Sequence, residues 1–117
     1  MNKTEQAYAE VLKAKRNAGE ILWCEFEGVK LKLAPSTFWT PDFVIMLADG
    51  TIEFREVKAK RKAKEAVDGK AAVTEGARIE IHSNIKIKVA ASMFPFRFVV
   101  VYPDGSGQWI EREIESA

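Results

Sequence analysis

The sequence predicts a single α/β domain over residues 1–117, with a central mixed sheet that starts as an antiparallel meander, flanked by an N-terminal helix and a second, crossover helix. Three observations predict it. Tyr8, Val11 and Leu12 fall at helical spacing near the N-terminus. Two strand-like stretches, about Asp42 to Leu47 and Thr51 to Lys58, meet at an Asp49-Gly50 turn signal. An apolar repeat at every fourth residue, Ile81, Ile85, Val89 and Met93, precedes the apolar run FRFVVVY, as a crossover helix precedes a buried strand.

The first helix is expected from about Lys3 to Ala18, where Ala7, Ala9, Ala14 and Ala18 favour the helical state. Asn2 with Glu5 suits a capping box, and Gly19 suits a stop. Glu5 lies three residues before Tyr8 and seven before Leu12, so it sits beside the apolar stripe, whereas Glu10 points away from it. On the residues alone Glu5 reads first as a helix cap. In GVKLKLA, Val29, Leu31 and Leu33 alternate with lysines, which predicts the first, half-buried strand. APSTFWTP, with a proline near each end, reads as a loop. The two strands around Asp49-Gly50 follow. The polar, basic, glycine-bearing stretch from Lys60 to about Gly76 reads as another loop. ARIEIHSNIKIKVAASMF admits a hairpin about Ser83-Asn84, but the fourfold apolar spacing and Ala90-Ala91 favour a helix from about Ser83 to Met93. FRFVVVY is then a buried strand, PDGSG a turn, and QWIEREI a short edge strand or final turn.

Composition narrows the functional classes. Hydrophobic residues at 47% and charged residues at 30% suit a soluble globular chain. No apolar run approaches the roughly 20 residues of a membrane-spanning helix. MNKTEQAYAE lacks the apolar stretch of a signal peptide, so a cytoplasmic protein without a membrane partner is expected. Cys24 is the only cysteine, which excludes an internal disulfide and a cysteine-rich zinc site. The formal net charge of +1 argues neither for nor against nucleic acid. Its distribution says more: Lys58, Lys60, Arg61, Lys62, Lys64 and Lys70 crowd one segment against Glu65 and Asp68, while Asp104, Glu111, Glu113 and Glu115 make the tail acidic.

The candidate chemistry lies in TPDFVIMLADGTIEFREVKAK, Thr40 to Lys60. A two-residue turn at Asp49-Gly50 would pair Ala48 with Thr51 and place Asp42 on the face opposite Glu56 and Lys58. A three-residue loop, Ala48-Asp49-Gly50, closed by glycine in the left-handed region, would pair Leu47 with Thr51 and set Asp42 opposite Glu56, with Lys58 following on the same face. Both turns suit the sequence, and a slip of one residue decides between them. The second register opposes two carboxylates, which repel. A divalent cation between them removes that cost, and magnesium takes one or two carboxylates together with substrate phosphate. A lysine beside such a pair can hold a water or neutralise charge developing on the phosphate.

Pro41-Asp42, a turn, and then Glu56-Val57-Lys58 resemble the motif of the PD-(D/E)XK nuclease superfamily, and the element order of helix, three strands, helix and strand is similar too. TPDF, EVKAK and the later KIKVAA and FPFRF resemble small phage-borne endonucleases of this superfamily, which are similar to enzymes that resolve Holliday junctions and branched DNA. The resemblance implies a restriction-endonuclease-like core and a phage- or prophage-encoded, metal-dependent DNA endonuclease. It implies Asp42 and Glu56 as metal ligands, with the backbone carbonyl of Val57 as a candidate third. Lys58 is then the catalytic lysine, and Glu5 matches the helix acid that assists metal or water binding. The cofactor implied is Mg2+, with Mn2+ able to substitute, and the partner implied is DNA, branched DNA included. Cutting both strands at a junction needs two sites, so a homodimer is expected for that substrate.

Lys60, Arg61, Lys62 and Lys64, together with Lys86 and Lys88, are candidate nucleic-acid contacts; otherwise they are solvated charges, the latter two flanking the apolar stripe of the second helix. His82, the single histidine, reads as a surface residue. Trp39 is expected to pack on the first helix, with base stacking as the alternative. Trp23, Trp109 and the phenylalanines read as core or edge packing, and Cys24 as a small core residue. The competing function is a non-catalytic nucleic-acid-binding domain on the same fold; a small interaction protein is a third. Clustered carboxylates near phosphates favour the nuclease, because a pure binding domain has no use for them.

Overall fold

The computed structural model describes residues 1–59 and 85–115. Helix α1 spans Lys3–Asn17. It starts on the expected capping box: Glu5 N–H donates to Asn2 Oδ1 at 2.7 Å and Asn2 N–H donates to Glu5 Oε1 at 2.8 Å. Lys15 and Arg16 complement the dipole in the last turn, and Gly19, at φ 81, turns the chain away after the Ala18 cap. The strands follow as β1 (Ile21–Phe26), β2 (Leu31–Ala34), β3 (Thr37–Trp39), β4 (Phe43–Leu47) and β5 (Ile52–Val57). Residues 85–93 form helix α2. Then come β6 (Arg97–Pro103) and β7 (Trp109–Ile114).

The fold is α/β. β1, β4, β5, β6 and β7 make a mixed five-stranded sheet in that order, and β2 and β3 pair as a separate hairpin. β4 pairs antiparallel with both β1 and β5, as β7 does with β6, whereas β5 and β6 run parallel. Parallel neighbours require a long crossover, and α2 lies in it. Side-chain alternation along the strands sends apolar residues to both faces. On one face Tyr8 and Leu12 of α1 pack with Ile21, Phe43, Ile45, Val99 and Val101. On the other, Ile87, Ala90 and Ala91 of α2 and Leu31, Leu33 and Trp39 of the hairpin pack with Val44, Phe54, Phe98 and Val100. No helix of the described residues is long and apolar enough to cross a membrane.

Three expectations need correction. The first strand of the main sheet is Ile21–Phe26, not GVKLKLA; the alternation of Leu31 and Leu33 is real but belongs to the hairpin. β1 escapes an alternation test because a bulge between Ile21 and Trp23 resets its faces, so Ile21 and Cys24 both meet the α1 side. APSTFWTP is not all loop, since Thr37–Trp39 is a strand that turns back through Ser36 at φ 60. Trp39 packs not on α1 but on the α2 side, 6.0 Å from Phe98 between ring centroids. QWIEREI is an edge strand, the first of its two expected states. Lys60, Arg61, Lys62, Lys64, Lys70, His82 and the expected helix start at Ser83 lie outside the described residues.

Gly50 has φ 90, with nothing within 4 Å of where a Cβ would stand, so substitution there costs conformation and not space. Gly50→Asn should stay close to the parent in urea unfolding, whereas Gly50→Val should lose about 1–2 kcal/mol. Equal losses in the two variants would show that the left-handed residue does not hold this turn.

Candidate active site

The β4–β5 register settles the turn. Phe43 pairs with Arg55, Val44 with Phe54, Ile45 with Glu53 and Met46 with Ile52. Leu47 N–H then donates to the Thr51 carbonyl at 2.8 Å, so the loop is the three residues Ala48, Asp49 and Gly50. Asp49 Oδ1 accepts from Thr51 N–H at 2.9 Å and fixes the loop from inside. Carried one step the other way, the same count sets Asp42 opposite Glu56.

Asp42 is held at its backbone from both sides. Its carbonyl accepts from Glu27 N–H at 2.8 Å, and its N–H donates to Glu56 Oε1 at 3.2 Å. Its carboxylate crosses the ladder, with Oδ2 accepting from Val57 N–H at 2.8 Å. Lys58 continues the parallel pairing, donating its N–H to the Val101 carbonyl at 2.8 Å. That places its Nζ 3.9 Å from Glu56 Oε2. Asp42, Glu56 and Lys58 thus meet at one end of two central strands, with buried Pro41 leading the chain in.

The electrostatics match the crowding. Burial, then the charge of Glu56, push the Asp42 carboxyl up to about 8, against the opposing hydrogen bond from Val57 N–H. Glu5 adds to the rise from the start of α1. Its carboxylate serves the capping box with Asn2, so Glu5 is both the expected cap and an acid close enough to act on Asp42. Lys86 is drawn elsewhere: its Nζ donates to the Phe38 carbonyl at 3.2 Å and ties α2 to the hairpin. Lys88 is exposed on α2.

β5 carries a second charged group on its opposite face, outside the candidate motif. Glu53, 1% exposed, receives Arg55 Nε at 2.7 Å on Oε1. Its Oε2 lies 3.0 Å from Arg97 Nη1 as an ion pair without hydrogen-bond alignment. Arg55 Nη1 donates to Tyr8 Oη and, at 2.7 Å, to Glu111 Oε2. Burial pushes the Tyr8 phenol up to about 12 despite the nearby Arg55, so it stays neutral as an acceptor. The available signal was the alternation Glu53, Arg55 within a strand that is covered on both faces, where a charge must be paired.

Comparison with models of known families, with curated proteins and with solved structures found no match.

Folding pushes the Asp42 carboxyl up from the ordinary 3.8 to about 8. Across that window the folded chain holds the extra proton, so stability falls as pH rises. Asp42→Asn should flatten that fall and unfold at a higher temperature than the parent at the alkaline end. Thermal unfolding of both proteins across the window checks this; equal slopes would rule out a proton held by Asp42 in the folded chain.

Proposed function

We propose that the chain is a metal-dependent DNA endonuclease with a restriction-endonuclease-like core of the PD-(D/E)XK kind, acting on branched or structured DNA. The observation that carries this reading is the direct opposition of Asp42 and Glu56 with Lys58 beside them, kept although it holds the Asp42 carboxyl up to about 8. Opposed carboxylates repel, a cost that a bound cation removes and a purely structural hairpin would bear. The order of α1, β1, β4, β5, α2 and the parallel β6 supports the same reading.

The donor set fits a hard divalent cation. Asp42 and Glu56 would hold it, with the Val57 carbonyl as the third protein ligand. Among the described residues no three His, Cys, Asp or Glu side chains converge as a ready-made cage. Magnesium needs none, because it keeps waters and uses few protein carboxylates. When bound, the ion supplies Lewis-acid stabilisation of charge on the phosphate. Lys58 places its ammonium beside Glu56, where it can orient a water by hydrogen bonding and offset negative charge on the phosphate oxygens. Cutting both strands of a branched substrate needs two such sites, so a homodimer belongs to the proposal.

The test is incubation with linear, nicked and four-way-junction DNA, in magnesium or in chelator. Cleavage should require magnesium or manganese and should disappear in Asp42→Asn and Glu56→Gln, both still folded. Lys58→Ala should slow single-turnover cleavage by about 100- to 1000-fold while leaving affinity nearly unchanged. Undiminished cutting by both carboxylate variants would remove the assigned site.

A further inference from the structure

The β2–β3 hairpin has two faces with different work. Leu31, Leu33 and Trp39 point inward and are buried in the core on the α2 side. The alternate positions point outward, and there Lys32 pairs across the strands with Phe38. Phe38 is 41% exposed, although the packing on this hairpin is already supplied by Trp39. Lys30 Nζ stands 4.6 Å from the Phe38 ring centroid, and Lys86 Nζ holds the Phe38 carbonyl at 3.2 Å. The charged side chains that touch or pair with Phe38, Lys30, Lys32 and Lys86, are all basic. Residues 28–41 and 85–96 together hold four lysines, Lys30, Lys32, Lys86 and Lys88, and no acidic residue, in a chain whose net charge is only +1.

We propose that the outer face of this hairpin is a binding subsite for an unpaired nucleic-acid strand, with Phe38 stacking on a base and Lys30 and Lys32 contacting phosphates. An exposed aromatic with lysines beside it is the chemistry that takes up single strands, since every base offers a flat face and every linkage a charge. Lys30 covers one face of the ring as a cation–π contact, and its flexible stem lets the ammonium swing off that face onto a phosphate when a base stacks there. The subsite is also within reach of the carboxylates. Phe38 is four residues from Asp42, at most about 14 Å of extended chain. That is about four steps of a strand at the 3.4 Å spacing of stacked nucleotides. Bases in an intact duplex cannot offer their faces, so Phe38 distinguishes branched or frayed DNA from plain duplex. The proposal rests on the nuclease reading and specifies its substrate class.

The test uses the full chain in chelator, with fluorescence anisotropy on labelled oligothymidylate, a blunt duplex and a four-way junction with unpaired arms. Phe38→Ala should weaken binding to oligothymidylate and to the unpaired-arm junction by about tenfold and leave blunt duplex unchanged, with its melting temperature close to the parent's. Phe38→Trp should restore or exceed parental affinity. Lys30→Ala with Lys32→Ala should make the salt dependence on the single strand shallower by about 1.4 in log–log slope. If the parent binds and cuts DNA while Phe38→Ala binds all three substrates as the parent does, the subsite is wrong and the nuclease reading stands. If the parent neither binds nor cuts any of them, both fall. Loss of a dimer in Phe38→Ala by sedimentation, with single-strand affinity intact, overturns the subsite in favour of a contact between copies.

Discussion

A three-residue loop between β4 and β5 is the constraint on which the candidate site depends. With Ala48, Asp49 and Gly50 in the loop, the ladder counts Asp42 onto Glu56. With two residues, the same side chains would occupy opposite faces and have nothing to do with each other. The choice is made locally, by a glycine at φ 90 and an aspartate that accepts the Thr51 N–H. Its result is felt at the far end of the hairpin, where Val57 N–H reaches the Asp42 carboxylate and Glu56 reaches the Asp42 N–H. The two acids are therefore stitched into the backbone ladder as well as set face to face. This keeps them together against their repulsion.

β5 is unusual in carrying charge toward both layers. A central strand covered on each side normally holds a continuous apolar run. Here Ile52 and Phe54 meet that norm on one face, and Glu53 and Arg55 break it on the other. Neither charge is stranded: Glu53 lies between Arg55 and Arg97, and Arg55 between Glu53, Tyr8 and Glu111. Such a group adds little net stability over a well-packed apolar one, but removal of one member leaves a buried charge uncompensated. The network ties α1 and β7 to β5, with Arg55 bonded to Tyr8 on the one and Glu111 on the other.

Local signals were legible in the sequence and long-range ones were not. The capping box at Asn2 and Glu5, the helix over α1 and the strands on either side of Asp49-Gly50 follow from short-range chemistry, and they stand where the residues pointed. The site was legible to the extent that one of two registers brought its three side chains together, but nothing in the sequence selected between them. β1 was hidden by a bulge that shifts Ile21 and Cys24 out of alternation. GVKLKLA was placed in the wrong sheet because period two reports one buried face without saying what buries it. Trp39 shows the same limit: its burial was expected, but whether α1 or α2 covers it depends on which side of the sheet the hairpin folds over. Arg55 carries no local signal, because a charge within a strand reads as solvent-facing until both faces are known to be covered.

The contact between Tyr8 and Arg55 has a mechanical consequence. Tyr8 lies three residues, nearly one helical turn, after Glu5, so the phenol held by Arg55 and the acid that acts on Asp42 ride on the same segment of α1. Sliding the helix by one residue, about 1.5 Å along its axis, would tear the phenol from the guanidinium and move Glu5 with it. α1 is thus keyed to β5 like a shaft to its hub. The tip of α1, with its Asn2–Glu5 capping box, therefore takes its position along the sheet from a side chain of β5.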